Sequence, residues 1–145
     1  MGTSYEKDVI AWADEQAALL RAGKLSQLDI EHLAEEIEDV GKSEKRELAS
    51  RMAVLIAHLL KWQFQPERRG SSWERTIREQ RKSIVRRVEK TPSLKNCLTD
   101  EEWIKDAWSD AVVIATSETN LDLFPDDCIW DSELILTPDF YPTGS

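Results

Sequence analysis

Two stretches of the chain carry carboxylates and histidines with the chemistry of metal ligands. His32 and Glu36 lie one helical turn apart, and Glu35 adjoins them on the same predicted helix. Glu47 and His58 lie in the next predicted helix and could face that stripe. Helical bundles build metal sites from carboxylates and imidazoles on facing helices. The pattern is therefore compatible with a metal site, and the candidate ligands are Glu35, Glu36, Glu47 and His58.

A simpler interpretation of the same residues is a solvated acidic face beside a buried histidine that makes an ordinary hydrogen bond. The Glu-x-x-His pattern of ferritin-like bundles is missing from the sequence. Runs of carboxylates are also common on the solvated faces of helices. We therefore expect no cofactor, and we keep metal binding as the alternative.

Arg81 interrupts the apolar stripe of its predicted helix. A buried guanidinium needs a partner, and Glu35 or Glu36 is the predicted carboxylate. His58 would join these groups in a polar network that stabilises the fold. A catalytic site built from the same four residues is the second interpretation.

Positive charge is concentrated in the middle of the chain. Residues 42–96 contain 15 Lys and Arg against 6 Asp and Glu, although the whole chain has a net charge of −9. Either the acidic flanks neutralise this segment, or a basic face is exposed for an acidic partner or for nucleic acid. The sequence pI of about 4.8 makes nucleic acid the less favoured partner. The candidate basic surface consists of Arg68, Arg69, Arg75 and Arg78.

The sequence lacks the motifs of several enzyme classes. We find no nucleophile elbow, glycine-rich phosphate loop, zinc cysteine cluster or dinucleotide fingerprint. Its two cysteines form no CxxC pair, and no run of about 18 apolar residues predicts a membrane span. The first residues also lack the pattern of a signal peptide. We expect a cytoplasmic protein without catalytic residues and without membrane contact.

The spacing of apolar residues predicts an all-α fold. The longest uninterrupted pattern covers residues 43–64, where Leu48, Met52, Leu55 and Leu59 recur at helical steps. Helices are predicted over about 4–22, 27–40, 43–64, 72–90 and 100–119, with Gly41 ending the second. We expect an antiparallel bundle of four to five helices, in a single domain over residues 1–145, with the C-terminal tail packed across it.

Five segments in order resemble a known family: DVIAWADEQAALLRAG, DIEHLAEEIEDVGKSEKREL, HLLKWQFQPERRGSSW, IREQR and DFYP. Together they are similar to the bacterial family called domain of unknown function 29, from Asp8 to Pro142. The resemblance implies an all-helical fold in a bacterial protein. It implies no activity, because the family has none assigned.

Two functional hypotheses follow from these patterns. The first is a non-enzymatic protein–protein interaction or adaptor protein, with self-association included, because charge is segregated and catalytic motifs are missing. The second is a metal-binding helical bundle that uses His58 and carboxylates.

Two tryptophans on the last predicted helix have two interpretations. Trp103 and Trp108 are core residues or, if they are exposed, part of a partner surface.

Overall fold

The protein is built from α-helices, and the structure, a computed structural model, describes residues 2–143. The helices are α1 (Val9–Arg21), α2 (Ile30–Phe64), α3 (Ser71–Lys90), α4 (Lys95–Leu98), α5 (Glu101–Thr119) and α6 (Ser132–Ile135). No strand occurs within the described residues, so the predicted all-α class is confirmed. None of the helices in this range combines the length and the apolar character that a membrane span needs.

The chain divides into two compact units, Met1–Ser43 and Glu44–Ser145, and helix α2 contributes to both. The first unit holds α1 and the beginning of α2. The second holds the rest of α2 and all the later helices. The single domain expected over residues 1–145 stays a prediction, since a compact unit need not fold alone.

Helix α2 runs without a break through Gly41. The predicted boundary between helices 27–40 and 43–64 is therefore wrong, because one helix of 35 residues replaces both. An isolated glycine costs a helix about 1 kcal/mol relative to alanine but need not end it. Gly23, in contrast, does follow a helix end, and its φ of 72° is the left-handed conformation that glycine accepts after α1.

The core of Glu44–Ser145 is built around the second part of α2. The predicted apolar stripe is fully buried there, with Leu48, Leu55 and Leu59 at 0% exposure. On α5, small alanines allow close helix approach. Fully buried partners from α3 and α5 are Ile77, Ile84, Ala107, Trp108, Ala111 and Ala115. The packed helical bundle predicted from the sequence is thus confirmed.

The C-terminal tail packs on this core, as predicted. Phe124, Trp130 and Ile135 are buried. Trp108 packs edge-on against Trp130 with a centroid distance of 5.4 Å, and its Nε1 donates to the carbonyl of Pro125 at 2.8 Å. Trp108 is therefore a core residue, and an exposed Trp103–Trp108 pair is ruled out.

Helix α1 begins at Val9, later than the residue 4 predicted from the sequence. Asp8 caps it, and its carboxylate accepts from the amide of Ala11 at 3.1 Å. Thr3 has the capping-box spacing to Glu6, but its hydroxyl instead donates to Glu15 at 2.7 Å. The predicted start at residue 4 is wrong: the Thr3 hydroxyl is hydrogen-bonded to the Glu15 carboxylate on α1, and Asp8 caps the helix instead.

Apolar side chains are exposed along the first turns of α2. Helical spacing alone would place this stripe toward a core, but Ile30, Ile37 and Val40 are 69%, 72% and 67% exposed. Among the described residues of Met1–Ser43, only Trp12 and Gln16 are buried. This unit therefore has almost no apolar core of its own.

Candidate interaction surface on helix α3

The solvent side of α3 carries a line of basic residues. Arg75, Arg78 and Lys82 are exposed, and their spacing of three and four places them on one side of the helix. None of them forms an ion pair with a residue in the range 2–143. We call these three residues the basic face. Their charges are available to a partner in solution.

The four residues predicted as a basic surface have two different environments. Arg68, Arg75 and Arg78 are exposed. Arg69 is half-buried, and its Nε donates to the carbonyl of Trp62 at 2.6 Å while its guanidinium lies 5.4 Å from the Trp62 ring centroid. Arg69 therefore stabilises the end of α2, and Lys82 joins the exposed surface in its place.

A groove of about 600 Å³ adjoins the basic face. Helix α3 lines it with four cations, the exposed side chain of Val85 and one acid; the charged residues are Arg78, Arg81, Lys82, Arg86 and Glu89. The tail supplies apolar lining on the other side through Leu136 and Pro138, together with the carboxylate of Asp139. Apolar lining bordered by positive charge fits an amphipathic segment that has acidic flanks.

Arg81 has a different partner from the predicted one. Its side chain is only 4% exposed, and Nε, Nη1 and Nη2 donate to the carbonyls of Ile135, Pro138 and Phe140 at 2.9, 3.0 and 2.5 Å. Burial lowers the pKa of Arg81 from its ordinary value. The predicted pairing with Glu35 or Glu36 is wrong, because backbone carbonyls of the tail take all three nitrogens. Arg81 holds the tail against α3.

His58 and Glu47 also have local partners. His58 Nδ1 donates to the carbonyl of Val54 at 2.8 Å, and burial lowers its pKa. Glu47 lies 3.2 Å from Nε of Arg51 and 3.5 Å from Nη2 of Arg87. In residues 2–143, no three His, Cys, Asp or Glu side chains come close enough together to hold a metal ion. The metal hypothesis for these ligands stays a prediction.

Within Met1–Ser43, a polar cluster that the sequence did not predict surrounds the start of α2. Tyr5 donates to Glu36 and stacks on His32 with a centroid distance of 4.2 Å. Asp29 Oδ2 accepts from Nε1 of Trp12 at 2.9 Å and lies 2.7 Å from Nδ1 of His32. Asp29 was recognisable as a helix cap, but its partners on α1 have no signature in the sequence.

The titration of this cluster follows from its hydrogen bonds. The contact with Asp29 raises the pKa of His32, and the same contact lowers the pKa of Asp29. The hydrogen bond to Glu36 raises the pKa of Tyr5 to about 12. Tyr5 therefore keeps its proton at neutral pH. Since these groups are paired with one another, the cluster attaches α1 to α2, and Glu35 remains an exposed acid beside it.

Comparison with known proteins identifies the family but not the function. The family model described as "Domain of unknown function DUF29" matches residues 4–141, which is nearly the whole chain. The chain belongs to this family. Neither the curated proteins nor the solved structures yield a match.

Membership of the DUF29 family confirms the resemblance seen in the sequence. The matched range contains the basic face, Arg81 and the tail carbonyls that Arg81 binds. The family description names no activity. The function therefore has to be argued from the surfaces of this chain.

Proposed function

We propose that this DUF29 protein is a non-enzymatic interaction or adaptor protein that binds an acidic segment of another protein. The observation that carries the proposal is the basic face itself. Arg75, Arg78 and Lys82 present three positive charges on one side of α3 without an ion-pair partner in residues 2–143. A surface of one sign attracts a partner of the opposite sign and accelerates association.

The groove beside the basic face supports a protein partner over a nucleic acid. Val85 is 43% exposed within it, and the tail residues Leu136 and Pro138 line its other side. An amphipathic helix binds such a groove with its apolar side chains, and acidic residues on its flanks would meet Arg78 and Lys82. A phosphate backbone would use the charge but would gain little from an aliphatic groove.

The test reverses the charge of the basic face and compares the result with a matched control. The test variant combines Arg75→Glu, Arg78→Glu and Lys82→Glu. The control combines Lys24→Glu, Lys42→Glu and Lys105→Glu, which changes the net charge equally at exposed positions elsewhere. Tagged proteins are used as bait in nuclease-treated native lysate, and far-UV circular dichroism verifies that each variant is helical.

We expect a specific protein to be retained by the wild type and the control and to be lost by the test variant. Retention by all three proteins would contradict a role for the basic face. Loss from both variants would show dependence on total charge alone, which would also contradict the proposal.

We propose self-association as a second candidate, and the exposed stripe on α2 favours it. Ile30, Leu33, Ile37 and Val40 follow one another at steps of three and four, which is the spacing of a seam between paired helices. Three of the four are more than two-thirds exposed. A second copy offers the same stripe, so a symmetric pair would bury both.

A further inference from the structure

We infer that Glu44–Ser145 contains a binding site for a phosphate-bearing small anion, separate from the basic face. A cavity of about 660 Å³ lies between α2 and the end of α3. Four cations line it: Arg51 from α2, and Arg86, Arg87 and Lys90 from α3. The hydroxyl-bearing residues Ser83 and Thr91 and one carboxylate, Glu44, also line it. This donor set matches the chemistry of a phosphate group.

The carboxylates nearby neutralise only part of this charge. Arg87 lies 3.9 Å from Glu44 and 3.5 Å from Glu47, and Arg51 lies 3.2 Å from Glu47. Arg86 and Lys90 form no ion pair with any residue in the range 2–143. Two carboxylates therefore face four cations, and the cavity keeps an excess of two positive charges.

The arginines of the cavity are also poorly satisfied as hydrogen-bond donors. Nε of Arg87 is buried and has no hydrogen-bond partner among residues 2–143, and Nε of Arg51, also buried, lies 3.2 Å from Glu47 without the alignment of a hydrogen bond. Arg81 on the same helix differs, since all three of its side-chain nitrogens donate to carbonyls. Guanidinium groups without aligned partners can turn toward an incoming oxyanion and bind it with two parallel hydrogen bonds.

A phosphate fits this cavity better than a carboxylate does. A carboxylate offers two oxygens to one guanidinium, whereas a terminal phosphate offers three oxygens and carries up to two charges. Arg51 and the cations of α3 approach from two different helices, and Ser83 adds a hydroxyl. The cavity volume also leaves room for a small organic group attached to the phosphate.

Isothermal titration calorimetry of the full chain in phosphate-free buffer tests the site. The probes are inorganic phosphate, pyrophosphate and glycerol phosphate, with acetate as the carboxylate comparison. The test variant is Arg86→Gln with Lys90→Gln, both at exposed positions. The control is Arg75→Gln with Arg78→Gln, which removes the same charge from the same helix outside the cavity.

We expect saturable binding of at least one phosphate probe, weaker binding of acetate, and a loss of about tenfold or more in the test variant only. Tighter binding of glycerol phosphate than of inorganic phosphate would identify a monoester as the ligand class, and the reverse would identify free phosphate. No saturation by about 10 mM of any phosphate probe would overturn the inference. Equal loss in test and control variants would also overturn it.

Nuclear magnetic resonance of the wild type gives a second readout that does not depend on a variant folding. During the phosphate titration, the side-chain Nε–H signals of Arg51 and Arg87 should shift. Those of Arg69 and Arg81, which already donate to carbonyls, should stay in place. Shifts of all four to the same extent would contradict a defined site. The result is independent of whether the basic face binds a protein.

Discussion

Arg81 is the residue that fastens the C-terminal tail to α3. We expect Arg81→Leu to lower the free energy of unfolding by about 3 kcal/mol or more, because three buried or half-buried carbonyls would lose their donor. Denaturant unfolding followed by tryptophan fluorescence measures the change. Arg78→Leu is the matched control at an exposed position of the same helix, and it should cost less than about 0.5 kcal/mol. Equal stability of Arg81→Leu and wild type would refute this role.

The two histidines of the chain should titrate in opposite directions from the ordinary pKa of 6.5. His32 has a raised pKa because of Asp29, so its stabilising contribution is full below pH 6.5 and disappears as pH rises through the raised value. His58 has a lowered pKa because of burial, so its contribution is present above pH 6.5 and disappears as pH falls through the lowered value.

Proton nuclear magnetic resonance of the imidazole signals checks this pair of shifts. His32→Asn and His58→Asn each remove one signal and so assign the other. We expect one midpoint above 6.5 for His32 and one below it for His58. Coincident midpoints, or the opposite order, would contradict the contact of His32 with Asp29 or the burial of His58.

At the level of single residues, the sequence predicted burial better than it predicted partners. Arg81 was recognisable as a polar group in an apolar stripe, which indicated a buried contact. The sequence could not predict its acceptors, because every residue of the tail has a backbone carbonyl and nothing in the sequence marks three of them as partners of Arg81. The exposure of Arg75 and Arg78 and the burial of Arg69 also depend on the tertiary neighbours of each side chain.

Helix α2 is the element that carries two different surfaces. Its second part is buried in Glu44–Ser145, and its first turns expose Ile30, Ile37 and Val40. Helical periodicity alone assigned both parts to a core. The apolar stripe has the same spacing before and after Gly41, so the sequence could not distinguish the covered part from the uncovered part. Gly41 likewise could not be recognised as an interior residue, because a glycine is common both at helix ends and within helices.

If the exposed stripe mediates self-association, polar replacement should change the oligomeric state. Light scattering coupled to size-exclusion chromatography should give a dimer mass for the wild type. Ile30→Ser with Ile37→Ser should give the monomer mass of 16.7 kDa. Val113→Ser is the control, since Val113 is 67% exposed on α5. A monomeric wild type at about 100 μM would exclude a stable homodimer.

At the scale of the whole molecule, charge segregation is the property that links sequence to proposed function. The counts of Lys, Arg, Asp and Glu along the chain already indicated a basic middle and acidic ends. They left open whether acids within the chain neutralise the bases. Arg75, Arg78 and Lys82 have no ion-pair partner within residues 2–143, whereas Lys61 on α2 binds Glu118 at 2.8 Å. The basic face is one part of the positive charge that is not used in this way, and Arg86 and Lys90 are another.

The dissociation constant of the partner recovered with the wild type tests directly whether the basic face binds that partner. It should be measured with purified components for the wild type, for the Arg75→Glu, Arg78→Glu, Lys82→Glu variant and for the Lys24→Glu, Lys42→Glu, Lys105→Glu control. We predict that reversal of the basic face weakens binding by about tenfold or more while the control stays within about twofold, because only the former places like charges opposite an acidic partner. Equal dissociation constants for the wild type and the basic-face variant would contradict a binding role for Arg75, Arg78 and Lys82.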